Sequence, residues 1–202
     1  MKKILEKKER SLGVKLSIKG DRANSPKSAL LRKPSRPGQH GKRRKKVSEF
    51  GTQLREKQKV RFSYGLTDGQ LAKIFTEAFK RPGVTSEEVL GILESRLDNV
   101  IYRLGFAPSR SASKQIVSHG HIVVNGRKVT IPSLRVKVGD KIGVREQSIN
   151  HGTLKDLTEK LKGFEAPAWL KLDPATLSAE VLAKPADVPQ VFDINIVVDY
   201  YS

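Results

Sequence analysis

The period of the apolar positions changes along this chain, and the changes divide it. From Ser48 the spacing is helical. Ser48 is suited to cap a helix running to about Tyr64, in spite of Gly51 inside it. Thr67-Asp68-Gly69-Gln70 reads as a capping box, and Leu71, Ile74, Phe75, Ala78 and Phe79 recur behind it at helical spacing until Pro82-Gly83 stops the run. A second capping box, Thr85-Ser86-Glu87-Glu88, opens a third helix presenting Val89, Leu90, Leu93 and Leu97. The apolar series continues through Val100, Ile101 and Leu104 to Gly105 and Pro108. One-sided apolar faces of this kind are core.

After a short helix, about Ser109 to Ser118, the period falls to two. Ile122-Val123-Val124 and Arg127-Lys128-Val129-Thr130-Ile131 flank Asn125-Gly126. That pair between β-branched runs predicts a hairpin, because a type I′ turn needs positive φ at both central residues. Two further strands are predicted at Leu134 to Val138 and Lys141 to Val144, separated by Gly139-Asp140. Beyond them, Thr153 to Leu161 reads as a short helix, Trp169 to Leu172 as a strand, and Phe192 to Tyr201 as an apolar, aromatic ending. The tail is expected to pack back onto the first helices, which makes the domains discontinuous in sequence. The fold class is therefore α+β. It comprises an extended basic arm (1–47), a helical domain (48–94, completed by 156–202) and a small α/β module (95–155) with a short twisted antiparallel sheet.

Charge sharpens this division. The 202 residues hold 39 Lys and Arg against 21 Asp and Glu, a net +18. Residues 1–62 alone carry 21 of those cations and 5 of the acids. The first 47 residues contain no Phe, Trp or Tyr and only 12 apolar residues. Such a segment cannot offset its chain entropy by burying apolar surface, so it reads as an arm that orders on a polyanionic partner. No apolar run approaches the roughly 18–20 residues that span a bilayer. Met1-Lys2-Lys3-Ile4-Leu5-Glu6 turns charged too soon for a signal-peptide core, so a soluble intracellular protein is expected.

Catalytic and metal chemistry find little support. There are 0 Cys, which excludes disulfides, thiol catalysis, zinc ribbons and Fe–S clusters. The histidines are His40, His119, His121 and His151; no Cys or carboxylate cluster completes a metal shell around His119-Gly120-His121. Glu87-Glu88 suit the first turn of a helix, where acids favour the dipole. No nucleophile elbow, phosphate loop or dinucleotide fingerprint is present. Neither an enzyme nor a cofactor is expected.

The basic motifs say more. Arg36-Pro37-Gly38-Gln39-His40-Gly41 leads into Lys42-Arg43-Arg44-Lys45-Lys46, where glycines allow close approach to phosphates and five cations neutralise them. In the next helix Lys57, Arg61 and Tyr64 fall at i, i+4 and i+7, a face that can contact phosphates and stack on an unpaired base. The alternative is that Tyr64 is core and only the cations face outward. Arg110 and Lys114 share a face of the short helix. The hairpin turn adds Arg127 and Lys128, with His119 nearby in sequence. A helix and a loop presenting charge together suit the broad minor groove and phosphates of folded RNA, whereas DNA is read through a long helix in the major groove.

Several stretches resemble the family of the fourth protein of the small ribosomal subunit. These are Arg36 to Gly41, Gln53-Leu54-Arg55-Glu56-Lys57-Gln58-Lys59-Val60-Arg61 with Tyr64-Gly65, and Leu97-Asp98-Asn99-Val100-Ile101-Tyr102-Arg103-Leu104-Gly105-Phe106. Gln115 to His119, Val124-Asn125-Gly126-Arg127 and the ending Asp199-Tyr200-Tyr201-Ser202 are similar too. The resemblance implies a structural constituent of the small subunit, in the cytoplasm. It also implies direct, early binding to the 5′ domain of 16S-type ribosomal RNA, and a role in nucleating assembly. It places residues near 95–155 in the family's small RNA-binding module. Implied neighbours are other proteins of the 30S subunit, above all its fifth protein in a contact linked to decoding accuracy, and mRNA near its channel; no membrane and no homo-oligomer are implied. With motif residues included, the expected RNA-binding set is Arg36, Gln39, His40, Lys42, Arg43, Arg44, Lys45, Lys46, Arg55, Lys57, Gln58, Lys59, Arg61, Tyr64, Arg110, Lys114, His119, Asn125, Arg127 and Lys128. Many relatives carry N-terminal cysteines, some binding zinc; this chain has none, which leaves RNA to hold its arm. The alternative is a stand-alone RNA-binding or RNA-modification accessory protein using the same module, disfavoured because no separate catalytic domain fits the remaining length.

Overall fold

Ser48 starts the first long helix in a computed structural model that describes residues 6–16, 18, 20, 25–43, 46–149, 152–186 and 188–202. Its hydroxyl accepts the Gly51 amide at 3.2 Å and opens α3 (Glu49–Ser63). Before it lie two short helices, α1 (Lys7–Leu12) and α2 (Ala29–Arg32). At α4 (Asp68–Ala78) the capping box is complete: Thr67 Oγ1 accepts the Gln70 amide at 3.3 Å and Gln70 Oε1 accepts the Thr67 amide at 3.1 Å. α4 buries Leu71, Ile74, Phe75 and Ala78. Full burial of each larger side chain contributes roughly 1.5–3 kcal/mol.

At α5 (Thr85–Glu94) the structure differs from the expected cap. The amides of Glu87 and Glu88 are donated to the Val84 carbonyl, each at 3.1 Å, so Thr85 is the first helical residue rather than the cap. The helix does not run on to Leu104. It ends at Glu94, Arg96 turns extended (φ −66°, ψ 135°), and α6 (Leu97–Arg103) begins anew. Non-local backbone bonds break it. Arg96 bridges to Arg135, the Leu97 amide is donated to the Leu134 carbonyl at 2.8 Å, and the Val136 amide to the Ser95 carbonyl at 2.9 Å. Leu134 to Val138, predicted as a strand, contributes only that isolated bridge.

Next come α7 (Arg110–Ser118), capped by Ser109, then β1 (Ile122–Val124) and β2 (Arg127–Val129). Asn125 and Gly126 take φ of 50° and 76°, the positive values the predicted turn needs. β3 (Lys141–Val144), a 3-10 turn at Gly152–Leu154, α8 (Leu157–Lys160), β4 (Leu170–Asp173), β5 (Ser178–Val181) and α9 (Ile194–Tyr201) complete the chain. Among the described residues this makes nine α-helices and one antiparallel sheet of order β2-β1-β3-β5-β4, an α+β fold. The register pairs Val124 with Arg127, Val124 with Ile142, Ile142 with Ala179, and Leu172 with Ala179.

The described residues up to Val89 pack with Pro189–Ser202 as one unit; Leu90–Val188 form a second. The expectation that residues 156–202 complete the helical domain is therefore corrected. Only the last segment does so, through α9 against α3 and α4. Residues 156–188 extend the module instead, because β5 hydrogen-bonds to β3. Leu157, Leu161, Trp169, Leu170, Ala179 and Val181 join a core with Leu97, Ile101, Phe106, Val117, Ile122 and Ile142. The arm is more built than its composition suggests. Buried Glu9 accepts the Leu16 amide at 2.9 Å, and Arg10 donates to the carbonyls of Lys33 (2.8 Å) and Ser35 (3.0 Å).

Candidate nucleic-acid interface

Three basic regions are candidates, and the structure treats them differently. In the first, the Gly41 amide is donated to the Gly38 carbonyl at 3.2 Å and the Arg43 amide to the His40 carbonyl at 3.1 Å, folding Arg36 to Arg43 into consecutive turns. A Cβ at Gly41 would overlap the Arg36 carbonyl. Gly41 thus serves a close approach of the chain to itself. The turns leave Gln39, His40, Lys42, Arg43 and Lys46 exposed and Arg36 half-buried. Arg44 and Lys45 lie outside the described residues.

The second candidate is the face of α3. Lys57, Arg61 and Tyr64 do share a face, but it turns inward. Lys57 is 8% exposed, donates to the Tyr200 hydroxyl at 3.2 Å, lies 3.5 Å from Asp68 and sits over the Tyr200 ring at 4.5 Å. Arg61 pairs with Asp68 at 2.6 Å and donates to the Leu66 carbonyl and to Gln58 Oε1. Tyr64 is 4% exposed, edge-on to Phe192 at 6.2 Å, so its ring is core and not a stacking platform. Lys59 is tied to Glu56, whose other oxygen accepts the Asp193 amide at 3.0 Å. Arg55, Gln58 and Lys59 remain half-buried. Lys57 thus holds the C-terminal helix through Tyr200, a use that sequence spacing alone does not reveal because α9 arrives from the far end of the chain.

Two titrations in this clamp carry a pH signature. Burial opposes the Lys57 ammonium, yet the Tyr200 hydroxyl, the neighbouring phenols and Asp68 outweigh it and hold its pKa above the ordinary 10.5. Burial pushes the Tyr201 hydroxyl above its ordinary 10.0, against the pull of Lys57. Both groups hold their proton more firmly when folded. Their contribution is complete below the unfolded values and is lost as pH rises through the folded ones. Urea midpoints should therefore fall between about pH 9 and about pH 11, and Tyr201→Phe, which removes one titration and weakens the other, should shrink that fall. An undiminished fall in Tyr201→Phe would contradict the assignment.

The third candidate lies in the module. Ser109 accepts the Ala112 amide and starts α7, whose first residue, Arg110, is held from below. Its Nε donates to Asn99 Oδ1 at 2.7 Å, and its guanidinium stacks over Tyr102 at 4.5 Å. Asn99 Nδ2 donates to Glu94 Oε2 at 2.7 Å, and Arg103 grips the same carboxylate with two bonds of 2.9 Å. Lys114, one turn on, is half-buried, and His119 at the helix end is exposed. His119 and His121 stand 6.0 Å apart, and His121 Nδ1 bonds Ser148 Oγ at 3.0 Å. Among the described residues no group of three His, Cys, Asp or Glu converges on a metal position.

The hairpin exposes Arg127 and Lys128. The Lys128 stem crosses Gly120, which carries its ammonium toward the C-terminal end of α7, where the dipole favours a cation. Asn125 is exposed but engaged. Its side-chain oxygen accepts the Lys141 amide at 2.9 Å and its amide donates to Asp140 at 2.8 Å. Exposed Lys137 and Lys141 thereby join the turn. The sequence reading missed them because their proximity comes from the β1–β3 pairing, not from spacing along the chain.

Arg110 and Lys114 now separate. Arg110→Ala strands Asn99 Oδ1 and should cost about 1–3 kcal/mol, while Lys114→Ala should stay within about 0.5 kcal/mol. Thermal melts of the single variants check this; equal losses would refute the separation. The double variant should lose about as much stability as Arg110→Ala alone.

Residues 2–94 match the model of the ribosomal protein S4/S9 N-terminal domain and residues 95–142 that of the S4 domain. Small ribosomal subunit protein uS4 of Pelotomaculum thermopropionicum is 48% identical over 192 residues, covering 94% of this chain and 92% of the relative. The proteins of the same name from Ruminiclostridium cellulolyticum and Thermus thermophilus are each 47% identical, over 192 and 193 residues, with the same coverages.

Proposed function

As a member of the family of small ribosomal subunit protein uS4, to which this chain belongs in its bacterial form, the protein has a role we propose to be that of a structural constituent of the small ribosomal subunit bound to ribosomal RNA. The observation that carries the reading is the cationic end of the module. Arg127, Lys128, Lys137 and Lys141 stand exposed around one turn, with His119 and Lys114 on the adjoining helix. Their acidic neighbour Asp140 is engaged by Asn125 and by the Lys137 amide, which it accepts at 2.7 Å. Such a surface offers charge to phosphates from a helix and a loop together. The exposed arm cations add contacts with no need of a sequence code.

More finely, the RNA is the 5′ domain of the 16S-type molecule, bound early so that assembly of the subunit body nucleates on it. The fifth small-subunit protein lies alongside, in a contact that influences decoding accuracy, near the mRNA entry channel. Exposed Phe50 and Phe79 supply apolar surface for a protein neighbour. The chain acts as one copy per cytoplasmic subunit, without a catalytic step. Chemical footprinting on the isolated 5′ domain tests this: protections centred on that domain, with comigration of the protein in 30S fractions, are expected. Protein remaining at the top of the gradient with no protected nucleotides would overturn it.

A further inference from the structure

An asparagine followed by glycine is the least hindered setting in which a backbone amide attacks a side-chain carboxamide. The nitrogen of the glycine bonds to Cγ, ammonia leaves, and a cyclic succinimide remains. Water then opens either carbonyl, giving aspartate or isoaspartate, so the net change is one water consumed and one ammonia released. Asn125-Gly126 presents this pair at the exposed tip of the β1–β2 hairpin. What distinguishes it from a bare turn is the hold on the carboxamide. The Asn125 amide is donated to the Lys141 carbonyl at 2.8 Å, and the Lys141 amide is donated back to Asn125 Oδ1 at 2.9 Å. Asn125 Nδ2 donates to Asp140 Oδ1 at 2.8 Å, and Asp140 Oδ2 is itself fixed by the Lys137 amide at 2.7 Å. Oxygen and nitrogen of the carboxamide are thus both engaged on the β3 side, so a rotation of the side chain toward the Gly126 nitrogen has to break these bonds.

We propose that Asn125 is a deamidation site kept latent by the clasp of its carboxamide to Asp140 and the Lys141 backbone, so that modification at this turn follows opening of the clasp. Conversion locks the turn open. An aspartate at 125 sets a carboxylate against Asp140 where a hydrogen-bond donor stood, and the like charges hold the turn open. If the hairpin faces RNA as proposed above, the same event also places a negative charge beside Arg127 and Lys128.

The test uses the full chain without RNA, so its outcome is independent of that reading. The protein is incubated at mildly alkaline pH, native and in concentrated urea, and peptide mapping by mass spectrometry separates Asn, Asp and isoAsp at position 125. Native chain should react about tenfold more slowly than unfolded chain, the factor that about 1.4 kcal/mol of clasp opening corresponds to. Asp140→Ala, shown folded by circular dichroism, should move most of the way to the unfolded rate. Native chain reacting as fast as urea-unfolded chain, or a folded Asp140→Ala variant as slow as native, overturns the proposal. Should that variant not fold, the native-to-urea comparison decides alone.

Discussion

Glu94→Ala destabilises the module by about 3–5 kcal/mol, the usual loss when one partner of a buried ion pair is removed. The carboxylate is 0% exposed and receives Asn99 and both bonds from Arg103, with Arg110 Nη2 at 4.0 Å. Its removal takes from the Arg103 guanidinium both of these bonds in low dielectric and leaves Asn99 Nδ2 with the Glu94 carbonyl alone. The same change loosens the α5–α6 junction, since Asn99 Nδ2 also donates to the Glu94 carbonyl at 3.1 Å and depends on the side chain for its aim. Urea unfolding checks this. A loss below about 1 kcal/mol, the level of an exposed pair, would mean that water reaches the carboxylate. Nearby Arg96 and Asp98 form a second buried pair, with bonds of 3.1 and 2.7 Å. Substitutions in the two pairs should not add, because both brace the same helix start.

The affinity for ribosomal RNA should fall about 10³–10⁵-fold between about 50 and about 200 mM salt if roughly 6–10 phosphates are neutralised. The structure refines where that dependence comes from. Lys57, Lys59 and Arg61 on α3 are partnered within the chain, so they contribute less than their charge suggests. The run Lys42 to Lys46 and the module cations should carry more. Neutralising Lys42, Arg43, Arg44, Lys45 and Lys46 together should reduce the slope of log affinity against log salt by up to about 4–5, near 0.9 per phosphate. Substitution is the cleaner experiment than deletion of residues 1–47. Deletion also removes α1, whose Lys8 sits over the Phe62 ring at 5.3 Å, and so uncovers part of α3. An unchanged slope in the five-fold variant would show that the run faces solvent in the complex.

These two predictions rest on different kinds of legibility. Ser48, Thr67-Gln70, Ser109 and Asn125-Gly126 could be read directly, because caps and tight turns are decided by bonds within four residues. The cationic hairpin was readable for the same reason. Glu94 was not singled out: beside Glu87 and Glu88 it looks like one more helix acid, and its burial depends on Asn99, Arg103 and Arg110 converging on it. β5, Ser178-Ala179-Glu180-Val181, carries little strand propensity and exists because β3 and β4 flank it.

By itself the sequence determined the starts of α3, α4 and α7, the type I′ hairpin, the concentration of positive charge in the first third and the absence of thiol chemistry. Each depends on neighbours along the chain or on simple counting. Only the tertiary structure decided that the third helix breaks at Ser95-Arg96, that residues 156–188 join the unit that holds the sheet, and that Lys57 and Tyr64 are buried while Arg61 pairs with Asp68. Those outcomes turn on hydrogen bonds and ion pairs between residues as distant in sequence as Lys57 and Tyr200. A spacing of four on a helix shows which side chains share a face; what covers that face is set by whichever distant segment buries the most apolar surface against it.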